Sequence, residues 1–175
     1  MICPNCHADN IPGVDSCESC GSDLTSLDLP GAEDEFTEHI LTVTLANVDA
    51  EEPPAVSPSD PVAFAIHGMQ KNRVASVLVK EGGKLVGILT ERDVLLKAAG
   101  ADVDLNALAV RELMTPDPVV MKDSDTRALA LHNMSVGGFR HIPVISGGEA
   151  KRVLSIHDVF RHISPFIPGQ PSSDA

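Results

Sequence analysis

Laid on itself with a shift of 65 residues and no gap, the chain from about residue 41 to 165 stays in register. Pro53 falls on Pro118, Ser59 and Asp60 on Ser124 and Asp125, His67 on His132, Met69 on Met134, Gly82 and Gly83 on Gly147 and Gly148, and Asp93 and Val94 on Asp158 and Val159. A unit this long, present twice, exceeds the roughly 20–50 residues of solenoid repeats and implies a pseudo-symmetric pair. Each copy spells the same elements. "SPSDPVAFAIHGM" and "KDSDTRALALHNM" open with Ser and Asp as candidate N-caps, Pro61 suits a first helical turn, and the apolar spacing that follows is helical. "VASVLV" and "RHIPVI" are predicted strands, "KEGGK" and "SGGEA" hairpin turns, and "LVGIL" and "KRVLS" return strands. A second helix starts at Thr90 or at Ser155.

That second helix opens with a repeated phrase, "LTERDV" in one copy and "LSIHDV" in the other. Two readings share it. Thr-x-x-Asp and Ser-x-x-Asp form capping boxes, the hydroxyl accepting from the N3 amide and the carboxylate reaching back to the N-cap amide. The same geometry also suits a ligand, since a helix N-terminus presents amides and a positive dipole end to a phosphate. A carboxylate there accepts from both vicinal hydroxyls of a ribose, and the neighbouring hydroxyl can donate to a phosphate oxygen.

All four cysteines lie in "CPNCHADNIPGVDSCESCG". Cys3 and Cys6 form one CxxC knuckle, Cys17 and Cys20 a second, and two knuckles complete a tetrahedral zinc shell. Two disulfides are the alternative; thiols in a reducing compartment favour the metal. Four thiolates leave no open coordination position, so the ion would hold the fold rather than catalyse, and His7 stands outside the set. Gly21 after the second knuckle suits a left-handed turn, where the first knuckle has His7.

Charge separates the two halves of the chain. Residues 1–70 hold thirteen Asp or Glu and no Lys or Arg, whereas the rest holds twelve acids and all thirteen bases. An acidic leading half repels phosphate backbones, and a chain with five Phe and no Trp or Tyr lacks stacking platforms, so nucleic acid is disfavoured as a partner. No run of eighteen apolar residues and no secretory leader pattern occurs, which points to a cytoplasmic protein away from membranes. No nucleophile motif, P-loop, HExxH or GxGxxG is present, so the chain is not expected to be an enzyme.

Residues 1–24 resemble a small bacterial or archaeal zinc ribbon, through Cys-Pro-x-Cys, Asn10, Gly13 and Cys-x-x-Cys-Gly. Residues 41–165 resemble the cystathionine-beta-synthase (CBS) domain in its tandem pair. The motif Gly-aliphatic-x-Ser/Thr-x-x-Asp is complete in "GILTERD", and the second copy has Arg152 where the glycine would stand; "VRELMTPDPVVM" matches the segment that leads into the second repeat. The resemblance implies an α/β fold of the α+β type, two βαββα repeats behind the ribbon. The expected organisation is a ribbon at 1–24, an acidic linker at 25–40, CBS repeats at 41–99 and 100–165, and a disordered tail at 166–175. It further implies a regulatory module that senses an adenine nucleotide, AMP or ATP, forms a homodimer, and passes occupancy to a protein partner; a scaffold that only dimerises is the alternative. In that family the matching Asp contacts ribose and the matching Ser or Thr lies near phosphate, which implicates Thr90 and Asp93 in one cleft and Ser155 and Asp158 in the other. Arg92, His157, Arg140 and His141 are candidate phosphate neighbours.

Overall fold

The computed structural model describes residues 1–11, 14–24, 40–98 and 103–164; apart from Ile40, the expected linker and tail lie outside the described residues. The first repeat runs β1 (Ala55–Val56), α1 (Val62–Asn72), β2 (Ser76–Glu81), β3 (Lys84–Thr90) and α2 (Glu91–Ala98). The second, after α3 (Val110–Leu113) and β4 (Thr115–Pro116), runs β5 (Met121–Lys122), α4 (Arg127–Gly137), β6 (His141–Ser146), β7 (Glu149–Ser155) and α5 (Ile156–Ile163). Both hairpins turn on glycine pairs: Gly82 and Gly83 have φ 57° and 81°, Gly147 and Gly148 have 60° and 87°. Such turns need positive φ at both central positions.

One expectation is corrected. The first helix of each repeat starts later than the Ser-Asp pair, with Pro61 and Thr126 at the N-cap, where the Thr126 hydroxyl accepts from Leu129 N at 3.3 Å. Asp60 and Asp125 instead close the preceding turn, accepting from Ser57 N and Lys122 N at 2.7 Å each. The acidic side chain therefore satisfies the amide three residues before it, not one ahead in the helix.

Strand alternation sorts the aliphatic residues into three layers. Val77, Val79 and Leu89 face α1 in the first core, with Val62, Ala65 and Met69; Ile142, Val144 and Leu154 face α4 in the second, with Ala130 and Met134. Leu78 and Ile88 turn the other way and meet Ala150 and Val153, so the two hairpins pack face to face. Each such side chain removed from water contributes about 1.5–3 kcal/mol. Thr90 is two residues beyond Ile88 and Ser155 two beyond Val153, and the period of two turns both hydroxyls toward the other repeat.

The repeats also exchange their leading segments. β4, which leads into the second repeat, pairs antiparallel with β3 of the first through Gly87 and Pro116, and Ile88 and Thr115. Glu51, which leads into the first, bridges Val153 of the second, whose amide donates to Glu51 O at 2.8 Å. At the crossing, a Cβ on Gly87 would lie 2.6 Å from Met114 Sδ and 3.1 Å from Thr115 O. The position 65 residues on is Arg152, whose guanidinium donates to Val48 O at 3.0 Å and pairs with Asp123 at 2.5 Å. Where the first crossing needs an absent side chain, the second is clamped by a long one.

Candidate functional site

The facing hairpins leave a cleft of about 790 Å³ between the repeats. Thr90, Arg92 and Asp93 come to it from the first repeat, and Arg140, His141, Ser155 and His157 from the second. Both second-helix tips therefore meet at one cavity. Asp158 does not line it; it lies on a smaller cavity of about 250 Å³ together with Glu51, Arg161, His141 and His157.

Each tip is a closed capping box. Thr90 Oγ1 donates to Asp93 Oδ2 at 2.6 Å, Thr90 N donates to the same oxygen at 3.0 Å, and Asp93 N donates to Thr90 Oγ1 at 3.2 Å. Ser155 and Asp158 repeat the three bonds, in the same order, at 2.6, 2.8 and 3.2 Å. The first amide of each helix is also used: Glu91 N donates to Ala75 O and Ile156 N to Arg140 O, both at 3.0 Å. The second amide of each, on Arg92 and His157, stands outside these bonds. The hydroxyl proton expected for a phosphate is directed at the aspartate of its own box.

The outer carboxylate oxygens differ. Asp93 Oδ1 receives Lys97 Nζ at 3.0 Å and Thr115 Oγ1 at 3.5 Å, and Lys97 also donates to Leu113 O at 2.5 Å. Burial works to raise the Asp93 carboxyl, but the bonds from Thr90 and Lys97 outweigh it and leave it below its ordinary value. Among the described residues Asp158 Oδ1 has Arg161 alone, at 3.7 Å, and its side chain is 3% exposed against 16% for Asp93. His162, the counterpart of Lys97, sits at 2.9 Å from Asp158 O through Nδ1 and accepts from Asp49 N at 3.3 Å through Nε2. In both repeats, then, the residue four after the aspartate reaches the segment that leads into the other repeat.

Several cleft residues were not singled out by the sequence. Phe139, Val119 and Leu95 form an apolar wall, and Asp117 stands beside it with φ 50°. Phe139 lies so close over Gly137 that a Cβ there would come within 2.1 Å of its ring. The pair Gly137-Gly138 before Phe139 was the available signal. His141 is half-buried; burial lowers its pKa against the opposing pull of Asp158 and Glu91.

The four thiols form a separate cluster. All four sulfurs lie within 4.8 Å of one another, an arrangement that could hold a metal ion. Cys3 and Cys20, and Cys6 and Cys17, are 3.6 Å apart across the two knuckles, whereas a disulfide needs about 2.05 Å. Both knuckles close in the same way: His7 N donates to Cys3 O and Gly21 N to Cys17 O at 2.8 Å, with φ 60° and 70°. Asn10 ties them together, its side chain donating to Ala8 O and accepting from Glu18 N. Bonds to Ser22 bring the Cys20 thiol down to about 6, while burial pushes Cys3 up to about 12.

A sequence profile of the CBS domain matches residues 45–100 and 110–165. The CBS domain-containing protein CBSCBSPB3 of Arabidopsis thaliana is 39% identical over 90 residues, which are 51% of this chain and 16% of that protein. The chain thus matches about a sixth of the length of that curated relative. Among solved structures, the CBS-domain containing protein ATU1752 from Agrobacterium tumefaciens superimposes with a TM-score of 0.59 at 28% identity, over 66% of this chain and 90% of that one. CBSX2, solved in complex with AMP, gives 0.59 at 24% identity over 70% and 97%. Among the described residues no helix is long and apolar enough to cross a membrane.

Proposed function

This chain belongs to the CBS domain family, and from that premise we propose that it is a regulatory module whose inter-repeat cleft binds an adenine nucleotide, AMP or ATP, and relays occupancy to a protein partner. The observation that carries the reading is the convergence of both second-helix tips on one cavity that also has an apolar wall. The adenine lies against Phe139, Val119 and Leu95. The phosphate takes Arg92 and Arg140 together with the second-position amides of the two helices, on Arg92 and His157. The ribose hydroxyls donate to Asp93 Oδ1, displacing Thr115 and drawing the carboxylate from Lys97. His141 and Ser155 complete the wall on the side of the second repeat. The solved complex of CBSX2 with AMP supports the ligand class.

Relay follows from Lys97, which holds Asp93 with one bond and the carbonyl of Leu113 with another. A ligand that takes the carboxylate changes what holds the segment ahead of β4. The nucleotide must bind the two arrangements with different affinity, and a difference of about 1.4 kcal/mol shifts their ratio tenfold. Cys3, Cys6, Cys17 and Cys20 fit zinc: a tetrahedron with Zn–S of about 2.3 Å has edges near 3.8 Å, close to the 3.6 Å separations across the knuckles. Bound there, zinc would supply structure to a ribbon whose own core is limited to Cys3, Cys17 and Leu24 with Met1, Ala8 and Val14 around them, and the ribbon is the interaction element.

A second reading, a dimerisation scaffold without ligand, is favoured by the exposed apolar residues of α2 and α5. Leu95 and Phe160, counterparts in the repeat, are 65% and 51% exposed, and a second copy would cover them. Titration calorimetry with AMP and ATP decides between the two. The sensor gives saturable binding, and at a ligand concentration of 100 Kd adds about 2.7 kcal/mol to the folded state; no heat and no shift in melting with either nucleotide leaves the scaffold.

A further inference from the structure

We propose that the first turn of α4 is a carboxylate-binding site centred on Arg127, separate from the cleft between the repeats. Gly138 and Phe139, at the far end of α4, line that cleft. With a rise of 1.5 Å per residue the two ends of the helix stand about 16 Å apart, and the site does not depend on what the cleft binds.

An unpaired buried charge marks the place. Arg127 is 3% exposed, its Nε and Nη1 are buried without a hydrogen-bond partner, and among the described residues no ion pair includes it. Burial lowers its pKa, and no acid opposes the shift. A guanidinium keeps its proton inside a protein, so the charge is held out of water at a cost that a bound anion would relieve. Packing does not ask for it. The residue 65 positions earlier is Val62, fully buried in the first core.

The backbone departs from the repeat at the same point. In the first repeat the first two amides of α1 are both used, Val62 N by Leu108 O at 2.9 Å and Ala63 N by Leu105 O at 3.0 Å. In the second, Arg127 N donates to Val43 O at 3.2 Å, Leu129 N to Thr126 Oγ1 at 3.3 Å and Ala130 N to Thr126 O at 3.1 Å. The amide of Ala128 has no partner among the described residues. Ala128 is half-buried, so this end of the helix meets solvent. Side chains of a helix lean toward its N-terminus, and an arginine at the first helical position therefore extends across the open end. The nearby acid, Asp125, is turned back to Lys122 N at 2.7 Å. A carboxylate would give one oxygen to the guanidinium and the other to the Ala128 amide, in the field of the positive helix end. A free organic acid and an acidic side chain share that chemistry, and residues 25–39 hold Asp28, Glu33, Asp34, Glu35 and Glu38 with no Lys or Arg.

The test is thermal melting of the full chain at neutral pH in sodium acetate, the probe, against sodium chloride at equal ionic strength. A second chain has the acids of residues 25–39 replaced by their amides, and Arg127→Val is made in both. A site open to free acids gives a saturable rise in the parent, about 4 °C at a tenfold excess over Kd, that Arg127→Val removes. A site already held by the chain's own acid gives no response in the parent and the same Arg127-dependent rise in the amide chain. If acetate does no more than chloride in either chain, the site is overturned, whichever way Arg127→Val melts. A rise that survives Arg127→Val overturns it as well, since acetate then acts elsewhere. Valine is what the first repeat carries at this position, and Arg127→Met, closer in length, takes its place if that variant does not fold.

Discussion

The two capping boxes are nearly superimposable in their bonds and unlike in everything around them. Thr90 with Asp93 and Ser155 with Asp158 repeat three contacts within 0.2 Å of each other. Around the first, Lys97 and Thr115 hold the outer oxygen at the edge of the larger cleft; around the second, the carboxylate is sealed in, and the lysine's counterpart is a histidine facing a backbone amide. Duplication has kept what a helix start requires, and divergence has acted on the neighbours. The lesson is that equal motifs need not mean equal sites, because the energetic worth of a carboxylate is set by its access to water and by the charges it faces.

The most severe way to break the equivalence is to remove both acids in turn. Asp158→Ala strands the amide and hydroxyl of Ser155 in a buried position and is expected to cost about 3 kcal/mol, against about 1 kcal/mol for Asp93→Ala, a half-buried cap. Urea denaturation measures both; equal losses would mean that the difference in burial carries no weight. Next comes Arg152→Met, which unclamps Asp123 and the Val48 carbonyl at the second crossing and is expected to cost about 2 kcal/mol, the worth of a charged hydrogen bond. The first crossing has no such clamp to lose.

A smaller contrast lies at the ends of the first helices, where Arg73 and Gly138 are counterparts with φ 56° and 67°. Arg73→Gly should stabilise the chain and Gly138→Ala destabilise it, each by about 1 kcal/mol, since a left-handed C-cap favours glycine. Thermal melts of the two variants should therefore move in opposite directions. The smallest effect belongs to Glu51. Its carboxyl has a raised pKa in the fold, so the folded state holds that proton more tightly than the unfolded chain does. Stability from this source is present below the ordinary Glu value and is lost as pH rises through the raised one. Glu51→Gln should melt slightly higher than the parent at pH 7, and the gap should close as the pH falls into the acid range.

Much of the fold was legible because it is local. The glycine pairs fixed both hairpins, the alternation of Val77, Leu78 and Val79 gave strands with two buried faces, and the hydroxyl-x-x-Asp phrase marked both second helices. The start of the first helices was misplaced because Asp60 and Asp125 are good N-cap residues by composition, whereas Pro61, with no amide to satisfy, and Thr126 stand at the caps themselves. What could not be read is non-local. That both helix tips face one cavity follows from hairpins packing through Ile88 and Val153, a contact across the repeats that no short stretch encodes. The burial of Asp158 and the approach of Glu51 depend on the same packing, and neither residue looks different from its neighbours in sequence.

The exchange of leading segments has a consequence for how such a molecule could be taken apart. Each half wears a strip that belongs, by descent, to its twin, so a protease cut between the repeats would yield two pieces that still dovetail. Either piece alone would present an unclaimed sheet edge and tend to aggregate, while the mixture would regain a single cooperative melt. The ancestral duplication thus produced two halves that are no longer self-sufficient, and losing one would no longer return the molecule to its ancestor.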